Sequence, residues 1–565
     1  MIRNPRDLRN PAASLLGAAG LVAVFTLISR VFGFLRWLAQ ASWVGAAEVG
    51  NAYASANQIP NVIFEVAVGG ALASITVPLL AKAIARNSRQ EVSGIASALL
   101  TWTLTILIPL GLVLFLAADP IAALLPASRG SDWAAQNALM AQFLRAFAIQ
   151  IPLYGLAVVA GGILQAYDRF AWPAAMPALS SLVVMLAYGL YGWWSRADTF
   201  DARALNVLGW GTSLGVALLG VPLVIPLVRL GLRLRPTWVM SRAQLRQALA
   251  LGGFGIGSLL AAQGYMLAVL VLARWGGQVG TINVFQYAQA VYLLPYALFT
   301  YPVATVVFPL LTRSEAAGQH QECAQLAAAS TALIAALAVL GVAGLVAVAP
   351  GMAAIFAWNR PIPGLELAIV AVSPALLGYA LLYHLSRVVI ALNRAVHSLV
   401  AALLAWGVAA VTAWILIKVL VPGLGAGAES LLALGWGQTV GMSLAGGYLV
   451  VVWQRIQPGG WRVVSLALVV TLPLAVLGAA GGRLIYRVIV ALDVPLAVLW
   501  ATLAAGAVVV VVSLPGLYLA SVQFRGVVRR VRSGGVDKVG FMRCHLENEA
   551  AESSCFPKSS EGDQS

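Results

Sequence analysis

Ser29-Arg30-Val31-Phe32-Gly33-Phe34-Leu35-Arg36 lies inside an apolar run extending from about Leu15 to Ala39. A run of that length reads as a membrane-spanning helix. Its two arginines are therefore the feature to explain. Arginine cannot shed its proton, and a charge at bilayer depth costs about 2.5–3.5 kcal/mol on insertion scales. It is tolerated where it faces a wet cavity or an anionic partner. Arg30 and Arg36 stand about 600° apart around the helix, 120° short of two turns, and about 9 Å apart along its axis. They share one broad side, a spacing that suits a large anion with several oxygens, such as a diphosphate. The competing reading is snorkelling to an interface, easier for Arg36, read as near the outer end of the span, than for the deeper Arg30.

Composition extends this reading to the whole chain. Of 565 residues, 61% are hydrophobic and 10% charged, and the mean hydropathy is +0.89. Apolar runs of about 20 residues recur throughout, as in an all-α polytopic membrane protein. Fourteen helices are expected, at roughly 14–39, 49–81, 93–117, 137–165, 172–194, 205–229, 246–273, 280–311, 324–348, 366–392, 396–420, 429–453, 463–487 and 495–520. The net charge of +15 sits mostly in the loops, which argues for membrane topology and against nucleic acid. Basic residues collect on one side: Arg3, Arg6 and Arg9; Lys82, Arg86 and Arg89; Arg229, Arg233, Arg235, Arg242 and Arg246; Arg455 and Arg462; Arg525, Arg529, Arg530 and Arg532. The opposite loops carry Glu48, Asp119, Asp132, Asp198, Asp201, Glu429 and Asp493. The positive-inside rule then makes both termini cytoplasmic and the number of spans even. Cys323, Cys544 and Cys555 form neither a disulfide framework nor a metal-ligand pattern, and no cofactor is expected. No cleavable leader pattern is found at the N-terminus.

The chain also repeats itself. Ile75-Thr76-Val77-Pro78-Leu79-Leu80 is echoed by Val306-Val307-Phe308-Pro309-Leu310-Leu311, Ala118-Asp119-Pro120 by Val348-Ala349-Pro350, and Leu164-Gln165-Ala166-Tyr167-Asp168-Arg169 by Ala391-Leu392-Asn393-Arg394. Three matches in register at a nearly constant offset point to duplication. Six helices per unit give two parallel lobes around a cleft, the geometry of rocking transporters. The expected division is 1–235 and 236–458 for the lobes, 459–522 for two additional helices, and 523–565 for a tail that is basic beside the membrane and disordered from His545 onward.

The first-helix string resembles that of the MurJ (MviN) lipid II flippases. The similarity continues through Pro60-Asn61, Val77-Pro78-Leu79-Leu80, Ile163-Leu164-Gln165-Ala166, Arg169-Phe170-Ala171, Pro173-Ala174 and Arg387 with Ala391-Leu392. The resemblance implies the multidrug/oligosaccharidyl-lipid/polysaccharide exporter fold. It also implies transfer of an undecaprenyl-diphosphate-linked glycopeptide to the outer leaflet of a bacterial inner membrane for cell-wall synthesis. The implied partners are that lipid-linked glycopeptide and membrane lipids, with the cell-wall synthesis machinery left open. The chain departs from the family's pattern where it has Asn51 for an aspartate, Phe64 and Glu65 for arginines, and Gln289-Ala290 for an Asp-Arg pair. Its cleft is correspondingly less basic, which leaves room for another polyprenyl-linked glycan. An ion-coupled drug antiporter of the same fold is the third alternative; cationic drugs would call for more acidic residues than Glu65.

The candidate substrate-binding residues are Ser29, Arg30, Arg36, Asn61, Glu65, Gln286, Gln289 and Arg387. Forked guanidinium donors suit phosphate oxygens. Glu65 either pairs with an arginine, the favoured reading, or titrates. Asn61 is expected to satisfy backbone groups freed by Pro60. Gln286 and Gln289 either meet sugar hydroxyls or bond helix to helix. His384 reads as a hydrogen-bonded core residue, and Arg145 as a snorkelling one. The chain has no phosphate-cradling Gly-x-x-x-x-Gly-Lys-Ser/Thr loop, so transport without bond cleavage is expected and no enzyme activity is assigned.

Overall fold

A computed structural model describes the backbone of residues 11–86, 88–128, 130, 132–195, 201–239, 242–421 and 427–552, and the side chains of these except 11–23, 68–74, 82, 242–255 and 532–552. The charges of Arg3, Arg6, Arg9, Lys82, Asp198, Arg242, Arg246 and Arg532 lie outside the described residues, as does the tail from 553.

Helical rods occupy all of the stretches read from the sequence. They are α1 (Pro11–Ala39), α2 (48–85), α3 (Arg89–Leu116), α4 (Trp133–Ala166), α5 (Ala171–Trp194), α6 (Ala202–Arg229), α7 (Arg242–Gly276), α8 (Thr281–Ala316), α9 (His320–Phe356), α10 (365–391), α11 (Ala395–Leu420), α12 (Gly427–Ile456), α13 (Gly460–Ala491) and α14 (Ala497–Glu552). Among the described residues, ten helices are long and apolar enough to cross a membrane, or eleven if the two halves of α10, bent by 43°, count as one span. The chain is a multi-pass membrane protein.

Local signals explain the ends. Ser88 and Glu91 have capping-box spacing, and Ser88 Oγ accepts from the Glu91 amide at 3.3 Å to start α3. Asp132 and Asp201 cap α4 and α6 in the same way, at 3.0 and 2.9 Å. Part of the acidity of one end of the bundle thus comes from helix N-termini, where a carboxylate also complements the helix dipole.

Two helices break in the same way. In α2 a π-helical turn, Glu65–Gly69, separates Glu48–Phe64 from Gly70–Ala85. In α8 an equivalent turn, Tyr296–Thr300, precedes Tyr301–Ala316. The two turns stand at the same register of the repeat, with Pro78 and Pro309 nine residues beyond the π turn in each case. Such bulges mark functional helices more often than passive ones.

α1 lies along α5, and α2 meets α7 through its Gly70–Ala85 half. α13 and α14 pack against each other and against α9. Pro350 lacks the amide that would bond the Val346 carbonyl; Arg483 of α13 donates to that carbonyl from Nε at 3.0 Å and to Glu366 from its terminal nitrogen at 2.8 Å. Gly351 leaves room for Thr502 of α14, whose Oγ1 would sit 1.8 Å from an added Cβ.

The segment joining α6 to α7 is an extended strap along α3. The amides of Arg233, Arg235 and Thr237 donate to the hydroxyls of Ser93, Ser97 and Thr101, at 3.3, 3.0 and 3.0 Å, and the Trp238 indole donates to Thr105 at 3.3 Å. The match is geometric: four helical residues rise about 6.0 Å, and two extended residues about 6.6 Å. The strap walls a groove of about 530 Å³ lined by Leu100, Leu104, Ile108 and Leu234.

Candidate functional site

The site is built where α1, α2, α7 and α8 face one another. Toward the acidic end these helices are tied together. The Asn51 side-chain Oδ1 accepts from the Gly280 amide at 3.3 Å, while the Asn283 side chain donates to the Gly50 and Gly45 carbonyls at 3.0 and 3.5 Å. Both asparagines stand in the first turn or just beyond it, one on α2 and one on α8. Each reaches the backbone of the opposite repeat, so the clasp is reciprocal. Tyr287 donates to Gly45 O at 3.2 Å and Asn359 to Ser42 O at 2.9 Å. Gly280 takes a φ of 91°, and a Cβ there would lie 2.2 Å from Ala46 O, so only glycine allows this approach. Arg274 is fully buried; its Nε donates to Pro126 O at 2.8 Å, and its two terminal nitrogens have no partner.

Farther from the acidic end, Gln58 donates to Met266 O at 2.8 Å and accepts from Gln286 at 3.3 Å. The inter-lobe bonds named here all lie between the level of Gln58 and the acidic end. Phe34 of α1 meets Phe356 edge-on, with ring centres 6.0 Å apart, and Trp37 meets Tyr287 at 6.2 Å.

These aromatic contacts fix the orientation of Arg30. Residues four and seven apart share a helix face, so Arg30 lies on the stripe of Phe34 and Trp37, the stripe that faces α8 and α9. Arg30 is exposed and forms no ion pair among the described residues. It stands on the basic-end side of the aromatic contacts. Arg36 lies instead on the stripe of Ser29, whose Oγ donates to Ala174 O at 2.7 Å. Ala174 is in the first turn of α5, which places Arg30 about one turn inside the basic end of that helix and Arg36 about 9 Å farther in. The depth order expected from the sequence is thus reversed. α1 runs on through a π-helical turn, Gln40–Val44, so Arg36 is not at its outer end.

Arg36 is half-buried, and its Nε is buried without a partner. Tyr53 is bonded to Tyr188 at 2.9 Å and to Thr212 at 3.0 Å, which ties α2 to α5 and α6. Trp37 flanks the guanidinium at 5.6 Å.

The other candidates are each held separately. Asn61 donates to Asn57 O at 2.9 Å, one residue past the Ala56 carbonyl that Pro60 frees. Glu65 opens the π turn and, contrary to the favoured reading, forms no ion pair among the described residues. Gln289 is paired with Gln438, to which Tyr265 also donates at 3.3 Å; this is helix-to-helix bonding. Arg387 stacks on Tyr383 with its guanidinium carbon 3.6 Å from the ring centre. His384 is fully buried and bonded to Ser330 at 3.0 Å. Arg145 pairs with Asp119, which replaces the snorkelling account. Among the described residues no hydrogen bond or ion pair joins two of the eight candidates. The sequence reading missed Asn283, Tyr287 and Arg274, for which an asparagine two residues into a helix and an arginine two residues from a helix end were the available signals.

Residues 40–479 match the family model described as lipid II flippase MurJ. The chain belongs to that family. Relatives include probable lipid II flippases MurJ from Synechocystis sp., 30% identical over 39% of this chain and 42% of that protein, and from Rhizobium meliloti, 28% identical over 55% of this chain and 58% of that protein. The aligned stretches thus cover about half the length of these relatives. The fold matches a solved lipid II flippase MurJ in an inward closed conformation, with a TM-score of 0.67, 18% identity, and coverage of 90% of this chain and 99% of the other. It also matches an inward-facing multidrug resistance MATE family transporter of the MOP superfamily, with a TM-score of 0.62, 14% identity, and coverage of 79% and 99%. Both likenesses are of fold.

Proposed function

We propose that this protein moves an undecaprenyl-diphosphate-linked glycopeptide, lipid II, from the inner to the outer leaflet by alternating access of two lobes. The lobes are residues 1–235 and 236–458, the helices of 459–522 being added to the second, and both termini are cytoplasmic. The observation that carries the proposal is the combination of family membership with two arginines that have no counter-ion among the described residues, beside helices clasped at their acidic end. A polar head cannot enter hydrocarbon without losing its water partners; a hydrated cleft removes that barrier. Arg30 stands near the basic mouth, where a lipid diphosphate would arrive, and Arg36 stands deeper, where the head would be held. The tail stays in lipid and needs no desolvation. Movement breaks no covalent bond, so the chain acts as a transporter and needs no catalytic group. Opening requires the asparagine clasp to part, and closure of the basic end would then release the head on the other side.

Complementation of a strain lacking its own lipid II flippase tests this. The wild-type chain should restore growth, and Arg36→Ala and Arg30→Ala should each abolish it at unchanged membrane abundance. Full growth with both variants would refute the phosphate role. The departures at Asn51, Phe64, Glu65 and Gln289-Ala290 favour one second reading, a related polyprenyl-linked glycan. Failure of a well-expressed wild-type chain to complement would select it.

A further inference from the structure

Arg387 belongs to an aromatic cluster that the transport scheme above does not use. Tyr379, Tyr383 and Arg387 are spaced by four and share one stripe of α10. Tyr296 opens the π turn of α8 and Tyr301 follows it. Ring centres are 4.8 Å apart for Tyr296–Tyr379, 5.2 Å for Tyr296–Tyr383 and 5.9 Å for Tyr301–Tyr383. One side of the cluster is solid and the other open: Tyr296 is 9% exposed and Tyr301 41%, with Tyr379, Tyr383 and Arg387 half-buried. Arg387 donates to the Tyr383 carbonyl at 3.2 Å and to its hydroxyl. Among the described residues it meets no carboxylate, and its remaining donors are unused.

The open side looks onto the cleft. A π turn adds one residue to a helix's register, so Tyr301 stands an effective fourteen positions, about four turns, beyond Gln286. The two therefore share a face, and Gln286 bonds across to Gln58 of the first lobe. Tyr301 lies on the basic-end side of that bond, within the part of the cleft left open.

The chemistry of the cluster selects its ligand. A lipid tail would be served by leucines and would gain nothing from phenols. A tyrosine offers a flat apolar face with a polar rim. Arg387, laid over a ring, adds directed donors at the edge. The complement is a flat group with an apolar C–H face fringed by hydroxyls, which describes a pyranose. We propose that Tyr301, Tyr383 and Arg387 form a sugar-binding shelf that receives the glycan of the lipid-linked cargo, the diphosphate being left to Arg30 and Arg36. This rests on reading the cleft as a lipid-diphosphate site.

Two probes separate the two ideas: undecaprenyl diphosphate alone, and the same lipid carrying the disaccharide-pentapeptide, each titrated against the full chain in nanodiscs. The wild-type chain should bind the glycosylated probe more tightly. Tyr301→Ala should weaken that probe roughly tenfold, the order expected for one lost aromatic contact, and leave the bare lipid unchanged. Tyr301→Phe, which keeps the ring, should retain most of the affinity. Arg36→Ala should weaken both probes alike. The shelf is overturned if Tyr301→Ala affects both probes equally or neither, or if the wild-type chain has no preference between them. The cleft reading itself falls, and the shelf with it, if the wild-type chain binds neither probe.

Discussion

At the scale of single residues, what matters is which polar groups have a partner. Asn283 and Asn51 close the acidic end with ordinary hydrogen bonds, each worth about 0.5–1.5 kcal/mol net. That is strong enough to favour the clasped state and weak enough to be overcome. Asn283→Ala removes two of these bonds and should raise the open fraction by roughly tenfold. The readout is labelling, by a membrane-impermeant thiol reagent, of a cysteine placed at Ser42 in a cysteine-free background. An unchanged labelling rate would rule out the clasp as a latch. Arg36 was legible from the sequence because a charge within an apolar run has few explanations. Its depth was not, because the π turn after Ala39 lengthens the helix without changing its composition. The Glu65 pairing failed for a different reason: charges on two successive helices need not face each other across the gap between them. The sugar shelf left a trace in the four-residue spacing of Tyr379, Tyr383 and Arg387, but its other half lies across a bulge that no periodicity reveals.

At the scale of helices and their connections, two attachments make separate predictions. Arg483 fastens α13 to α9 through a carbonyl that Pro350 leaves free and through Glu366. Arg483→Leu should lower the melting temperature of the purified protein by a few degrees, of the order of about 1 kcal/mol. Arg483→Lys should not restore it, because a lysine cannot serve both acceptors with a planar fork. The hydroxyl ladder on α3 holds the strap between α6 and α7. Ser97→Ala with Thr101→Ala leaves the amides of Arg235 and Thr237 without acceptors and should speed tryptic cleavage after Arg233, seen as two fragments on a gel. An unchanged rate would mean that packing alone holds the strap. Serines and threonines every four residues along an apolar helix were visible in the sequence. What they bind was not, since the strap itself has no periodic pattern.

At the scale of the whole molecule, the repeat and the charge asymmetry were readable because both are global properties of the sequence. The helical stretches were readable from the recurring apolar runs. Ten or eleven of these helices meet the length and apolarity of a span among the described residues. The proposed topology has an even total, with both ends of the chain on one side. A fluorescent protein that matures only in the cytoplasm should therefore glow when fused to either terminus. A dark fusion at one end alone would mean an odd number of crossings.

The strap sets a bound on how the halves can rock. From Trp238, whose carbonyl accepts from Trp102 at 3.2 Å and whose indole donates to Thr105 at 3.3 Å, only four peptide steps lead to Arg242 at the start of α7, a leash of about 14 Å when taut. The head of α7 can swing no farther than that from α3 unless the ladder peels open rung by rung. The amplitude of the cycle is thus written in the lacing of one helix rather than in the cargo.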